Sequence, residues 1–403
     1  MTETTYIRAG WLIDGSGGPV REDVLLAVAK GKITGLSAFD HPGPLPAGPL
    51  TDLSHCTLLP ALVDCHVHLA LSGTTDQVAR QRQLTDGYDT IRPLIARNIS
   101  EAFRHGVLAL RDAGDAHGHL LRYLRENEEM SREPVQVKST GRAWHQAGRY
   151  GSMLGRHPGK GESLASAFAN DREPADQVKL INSGPNSLKD FGRQTPPQFT
   201  LDEVRAVVRL AEKQGRKLMV HANGEEPVRI ALEAGCHSIE HGYFMGRANL
   251  ARMADQGAVW VPTLAAMQAC AEQPASVDRG NDPAVALVAL RTLEGQFAQI
   301  ALAGELGVTI ALGTDAGSIG VHHGEAAGEE LRLLLRAGCS LAEAIRIATW
   351  NGARLLGIDD ELGLIAPGRP AHFIAAHGPP SGIPRQISSL AAIFLDGRHW
   401  PIR

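Results

Sequence analysis

The stretch LDEVRAVVRLAEKQ, Leu201–Gln214, is followed by Gly215 and then by the apolar run KLMVH, Lys217–His221. A second helical pattern ends at Gly235 and gives way to SIEHG, Ser238–Gly242. Leu201, Val204, Val208 and Ala211 fall on one helical face, which marks an amphipathic helix packed on one side. Gly tolerates the left-handed conformation at a helix C-terminus, so each helix can stop and turn straight into a strand. The same joint recurs at Gly106, Gly257 and Gly307. Apolar, β-branched runs also lie at Ala61–Leu69, Val107–Asp112, Val135–Ser139, Val178–Ile181, Val259–Leu264 and Val308–Asp315. Eight strand–helix units in succession predict an α/β chain whose parallel strands close into a (β/α)8 TIM barrel rather than an open sheet.

The two ends read differently. Short strands are expected at Tyr6–Ile13, Val24–Lys30 and Lys32–Leu36, a surface loop at His41–Pro49, and further strands at His372–Ala376 and Ala391–Leu395. This divides the chain into a barrel over 59–358 and a small discontinuous β-sandwich domain built from 1–58 and 359–403. Two segments within the barrel, Gly141–Gly161 and Ser183–Thr200, are long loops after strand ends. Loops of that length are commonly lids or binding loops.

Composition narrows the class. With 43% hydrophobic residues and 21% charged, the chain can bury a large core, and its net charge of -4 lacks the basic excess of a nucleic-acid binder. The five cysteines are scattered and form no CxxC, so they are not a disulfide framework. Neither a signal-peptide pattern nor a bilayer-length apolar run is read. A soluble cytoplasmic protein without membrane or nucleic-acid partners is expected, acting on a small molecule.

Seventeen histidines stand out. His66 and His68 sit two apart at a strand end, on the same side of the strand. A chain this rich in histidine holds about one such pair by chance, so the pair is weak alone. The second pair, His117 and His119, reads as solvated loop residues. Position strengthens the first pair: His221, His241 and Asp315 also close apolar strands, where a barrel gathers its active site. Imidazole and carboxylate donors suit zinc or a similar divalent ion. Lys179 lies inside an apolar strand, where a bare ammonium is costly. As a carbamate its two oxygens could bridge two metals.

LPALVDCHVHL, VRIALEAGCHSIEHG, ALGTDAG and GLIAPGRPAHFIAA together resemble the amidohydrolase superfamily over nearly the whole chain. VKLINSG and the HHGEAAGEELRLLLRAG segment are similar to its imidazolonepropionase/prolidase-like branch, related to Xaa-Pro dipeptidases. The resemblance implies a binuclear zinc site: His66, His68 and Asp315 on one ion, His221 and His241 on the other, carboxylated Lys179 between them. It also implies assembly into homo-oligomers. This chain departs from the family pattern at Ala61, where Gly is usual, at Ala371-His372-Phe373 in place of ADL, and at Gly141–Gly148 in place of a Gly-Gly-His stretch.

A metal-bridging hydroxide is then the expected nucleophile, with Asp315 taking its proton and passing it to the leaving amine. His145 is a candidate catalytic contact. Arg142, Arg149, Tyr243 and His322 are candidates for substrate carbonyl or carboxylate, and His157 and His323 for the rim. The expected reaction is hydrolysis of an amide bond in a dipeptide or N-acyl amino acid. Two alternatives stand beside it: a mononuclear deaminase or imidazolone-type ring hydrolase, for which Glu225 or Glu226 would protonate the ring, and a non-catalytic protein on the same barrel.

Overall fold

The computed structural model describes residues 4–39, 47–127, 135–272 and 282–401. The loop expected at His41–Pro49 falls outside them over 41–46. The N-terminal part forms strands β1 (Thr5–Leu12), β2 (Arg21–Ala29), β3 (Lys32–Ala38) and β4 (Leu50–Pro60). The central part supplies β5 (Leu62–Val67), β6 (Val107–Asp112), β7 (Gln136–Ser139), β8 (Ala143–Trp144) and β9 (Gly155–Arg156). It continues with β10 (Val178–Ile181), β11 (Leu218–Gly224), β12 (Ser238–Phe244) and β13 (Val259–Val261). The C-terminal part adds β14 (Phe373–His377), β15 (Leu390–Leu395) and β16 (Arg398–Trp400).

The central strands run in parallel as β5–β6–β7 and β10–β11–β12–β13. Backbone bonds join these runs. The amides of Asp176 and Gln177 donate to Ser139 O at 2.9 and 3.1 Å, linking β7 to the start of β10. On the other side the segment 309–316 lies between β13 and β5. Trp260 N donates to Thr309 O (2.9 Å), Cys65 N to Leu312 O (2.8 Å) and Asp315 N to His66 O (2.8 Å). Eight segments therefore follow one another round a TIM-barrel-like ring, with helices between them.

Two staves differ from expectation. The run Val308–Asp315 makes one isolated bridge, at Ile310, with another at Ala316 just beyond it, and Asp315 between them leaves the extended region with φ 59°. The strand expected over Val259–Leu264 stops at Val261. Pro262 has no N–H to offer the ladder, Thr263 turns left-handed with φ 53°, and Leu264 opens a helix.

The chain ends form one seven-stranded sheet in the order β16-β15-β14-β4-β1-β2-β3. It is a single sheet rather than two facing ones, because β4 pairs with β1 on one side and β14 on the other. The sheet curls over its own core of Ile7, Leu26, Leu58, Phe373 and Phe394. Its two ends meet where Ala371 N donates to Gly31 O (2.8 Å) and Gly397 N to Ala371 O (2.9 Å). One helix, Pro283–Leu306, is long and apolar enough by length and composition to cross a membrane, which the sequence reading did not anticipate. Its Leu293, Ile300 and Ala303 are buried in the barrel core, as in a core helix.

Candidate active site

The four strand-end histidines, Lys179 and Asp315 line one narrow cavity of about 50 Å³. Ring centroids are 5.6 Å apart for His66 and His68, 5.0 Å for His66 and His241, and 4.7 Å for His221 and His241. Asp315 Oδ1 lies 3.3 Å from His68 Nε2 and 3.6 Å from His66 Nε2. His66, His68 and Asp315 have donor atoms within 4.8 Å of one another, and all three are buried.

Backbone geometry at the strand ends aims these groups inward. His241 (φ 66°), Thr263 (φ 53°) and Asp315 (φ 59°) all hold left-handed conformations that non-glycine residues seldom adopt. Such strain persists only where the surroundings impose it. Gly313 lets the eighth stave pass close to His66: a Cβ there would lie 2.3 Å from Val261 Cγ1 and 2.9 Å from His66 Cβ.

Outer partners fix three of the rings. His66 Nδ1 bonds Glu240 Oε2 at 2.7 Å, His68 Nδ1 bonds Gly114 O at 2.9 Å, and His241 Nδ1 bonds Thr263 Oγ1 at 2.8 Å. An Nδ1 bonded in this way leaves Nε2 as the free donor, the arrangement that orients a metal-binding imidazole. His221 uses Nε2 toward Gly184 O (3.1 Å), which leaves its Nδ1. Glu240 is in turn held by Arg111, whose Nη2 donates at 3.0 Å and whose Nε donates to Cys65 O at 2.6 Å. Asp64 fixes the strand ends from behind, accepting from His66 N, Thr314 N and Thr314 Oγ1.

Electrostatics leave the set in ligand-ready form. Burial and the nearby Lys179 push the imidazoles of His66 and His221 down to about 4 and about 3, so both are neutral at ordinary pH. Burial alone would raise Asp315. The His68 bond and the surrounding imidazoles outweigh it and hold the carboxyl far below the usual range. Burial brings the Lys179 amine down to about 8, against the upward pull of Glu240. Lys179 is 1% exposed, with no carboxylate within ion-pair distance among the described residues. Neutral imidazoles, an ionised carboxylate and a lysine that gives up its proton readily are the donor chemistry a divalent-ion site requires.

The remaining predicted residues are distributed otherwise. Arg142 is taken by Glu173 at 2.9 Å, and Arg149 donates to Pro196 O at 3.1 Å; neither lines the cavity. His322 faces a separate cleft of about 340 Å³, lined also by Gln268, Glu325 and Arg332. His145 is buried beside the loop, bonded to Gln146 O and 5.6 Å from the His157 ring, and Tyr243 packs 5.6 Å from the His241 ring. Neither lines the cavity. His157 is exposed, and His323 is buried against Leu71 O (2.8 Å). Glu226 is paired with Arg229 at the surface, and Glu225 lies against Gly246; neither reaches the cavity. His117 and His119 bond the carbonyls of Leu84 and Asp86, and His119 is buried rather than solvated.

Sequence reasoning missed Arg80, Tyr150 and Ser318, which do line the cavity. Arg80 reaches in from the helix Gln77–Thr85 and donates to Gly317 O. Nothing in the polar stretch QVARQRQLT distinguishes that arginine from a solvated one. Glu240 and Arg111 were also missed, although an acid and a base inside apolar strands are a readable sign of a buried pair.

The model of the amidohydrolase family matches residues 57–398. Ochratoxinase of Aspergillus niger is 27% identical over 417 residues, spanning 94% of this chain and 82% of that protein. Imidazolonepropionase of Cupriavidus taiwanensis is 24% identical over 390 residues, 87% of this chain and 84% of that one. Among solved structures, a Xaa-Pro dipeptidase with methionine bound in its active site is 27% identical. It superposes with a TM-score of 0.82 over 98% of this chain and 99% of its own. By the extent of the family match, and by histidines and an aspartate gathered at the ends of barrel strands, the chain belongs to the amidohydrolase family.

Proposed function

We propose that this chain is a binuclear metal-dependent amidohydrolase that cleaves the amide bond of a dipeptide or N-acyl amino acid. Its barrel comprises 59–358, beside one discontinuous β-domain of 1–58 and 359–403. A hydrolase of carbon–nitrogen bonds follows from the family. The observation that carries the finer reading is the pairing, in one cavity, of a six-residue donor set with the guanidinium of Arg80. An arginine at the edge of such a cavity suits a substrate carboxylate.

His66, His68 and Asp315 would hold one ion and His221 and His241 the other, with Lys179 between them. Two zinc ions would supply Lewis acidity, lowering the pKa of water and polarising the scissile carbonyl. Lys179 suits the bridging role as a carbamate: its neutral amine adds to carbon dioxide and releases a proton. Asp315 accepts a hydrogen bond from Ser318 Oγ at 2.9 Å, which orients its carboxylate toward the cavity. From there it takes the proton of the attacking water and delivers it to the leaving nitrogen. Tyr150, pushed up to about 12 by burial, keeps its proton and offers a donor at the same cavity.

The test is metal content and hydrolysis together. Wild type and Lys179→Ala are expressed with bicarbonate and compared by metal analysis and against a panel of dipeptides and N-acyl amino acids. Two ions in wild type, fewer in the variant and lost turnover are expected. One ion in both proteins would overturn the binuclear reading, and a wild type inert toward the whole panel would overturn the substrate class.

A further inference from the structure

The curled sheet holds a second group of metal-type donors, in β4 and β14. Neighbouring residues of a regular strand point to opposite faces, so His55 and Cys56 would not ordinarily share a ligand. Here the register breaks. Ala9 pairs with Leu53, yet Trp11, two residues on, pairs with Thr57, so β4 carries two extra residues. Gly10 permits the bulge, because a Cβ there would lie 2.2 Å from Ser54 O. On the other side, His377 of β14 stands opposite Cys56. The result is that donor atoms of His55, Cys56 and His377 all lie within 4.8 Å of one another.

The cluster is held firmly. Gly378 N donates to His55 O at 2.8 Å, and Thr57 Oγ1 donates to Gly378 O at 2.8 Å, clamping the strands beside the three donors. The imidazole centroids of His55 and His377 are 6.2 Å apart, and neither ring makes a hydrogen bond among the described residues. The pair His117 and His119, at 5.1 Å, differs in just this respect, since both of its rings are committed to backbone carbonyls. His55 and His377 are exposed and Cys56 is buried, so an ion could arrive from solvent and seat against a sheltered sulfur.

We infer that His55, Cys56 and His377 form a second metal site, separate from the barrel, for a borderline or soft d-block ion of the zinc class. Sulfur with two imidazoles selects such ions over magnesium or calcium. Three protein donors leave a fourth tetrahedral position for water. An ion bound there ties β4, before the barrel in sequence, to β14, after it.

Cobalt(II) titration of the metal-free full-length protein tests this. A cysteine ligand gives a thiolate-to-cobalt charge-transfer band in the near ultraviolet, and the barrel cavity has no cysteine among its lining residues. The band is expected in wild type and in a His241→Ala variant of the barrel site, and absent in Cys56→Ser. Should the buried Cys56→Ser fail to fold, the exposed His377→Gln carries the test. It should weaken the cobalt affinity read from that band at least by the roughly 10- to 100-fold that loss of even an outer partner costs. Absence of the band from wild type at excess cobalt, or a band indifferent to His377→Gln, overturns the site.

Discussion

On the proposed function, replacing Arg80 by Gln should abolish a preference for substrates with a free carboxylate while leaving the hydrolytic centre in place. Arg80 stands on the helix Gln77–Thr85, which has no buried residue and is capped by Asp76, so the change should cost little stability. One guanidinium N–H is used on Gly317 O, and among the described residues the fork makes no other hydrogen bond. A hydrogen bond to a charged group contributes about 1.5–3 kcal/mol. At about 1.36 kcal/mol per tenfold, that is roughly 10- to 150-fold in kcat/KM. The assay compares an N-acetyl amino acid with its own C-terminal amide, in wild type and Arg80→Gln. Wild type should favour the acid by roughly that factor, and the variant should lose it on the acid alone. If kcat/KM falls equally for acid and amide, Arg80 serves the fold or the metal centre, and the reasoning from its charge is refuted.

Three further outcomes follow from the site. Glu240→Gln removes the carboxylate charge that pairs with both His66 and Arg111, so zinc affinity, measured by chelator competition, should drop about 10- to 100-fold. Urea unfolding should also show a loss of roughly 3–5 kcal/mol for the buried arginine left unpaired, and unchanged values in both would contradict the relay. With His66 and His221 pushed down to about 4 and about 3, their neutral, ligating forms persist above those values and are lost only as pH falls through them. Zinc release followed against pH should therefore begin near pH 4; release centred near 6.5, where a free imidazole titrates, would argue against these two as buried ligands. Finally, Glu226→Gln and His322→Ala should each leave kcat/KM within about twofold, as for surface positions worth under about 0.5 kcal/mol. A tenfold loss in Glu226→Gln would restore the ring-protonating alternative.

What could be read from sequence was whatever repeats or sits at a fixed offset. The glycine joints after Leu201–Gln214 and Glu225–Ala234 announce strand starts, because a left-handed residue must stand there; Gly215 and Gly235 have φ 69° and 91°. The four histidines and Asp315 were legible because they close apolar runs whose ends share one rim, and Lys179 because a lysine stands out inside one. The eighth stave was legible as a position but not as a strand, since Asp315 gives up extended geometry to face the cavity. Arg142 and Arg149 misled because charge alone does not say which carboxylate an arginine will find. Glu173 is 31 residues from Arg142, and no local pattern links them. Arg80 was invisible for the same reason: its placement depends on a helix packed over a loop some 237 residues away.

That redistribution of arginines bears on how the site must work. Arg142 and Arg156 both bind Glu173, at 2.9 and 3.0 Å, so these two cations of the long loop fasten its base. The strands β8 and β9 add a second fastening, with Ala143 paired to Gly155 and Trp144 to Arg156. Between these points the loop sends Tyr150, Met153 and Leu154 over the metal-type donors, and the cavity beneath has only about 50 Å³. That is space for a few waters and ions, far short of the several hundred cubic ångströms usual for a ligand pocket. A dipeptide therefore enters only if the segment between the fastenings moves. Gly148, with φ 72° and open space around it, lies between them and supplies backbone freedom there, whereas Gly151 (φ 128°) is packed against His145 and Ile181. A base held by part-buried ion pairs and a tip carrying Gly148 predict that this loop acts as a lid; closing it over Arg80 would strengthen every charge interaction in the site by expelling water, and a Gly148→Pro variant should then lower kcat/KM for a dipeptide, unchanged kinetics refuting the lid.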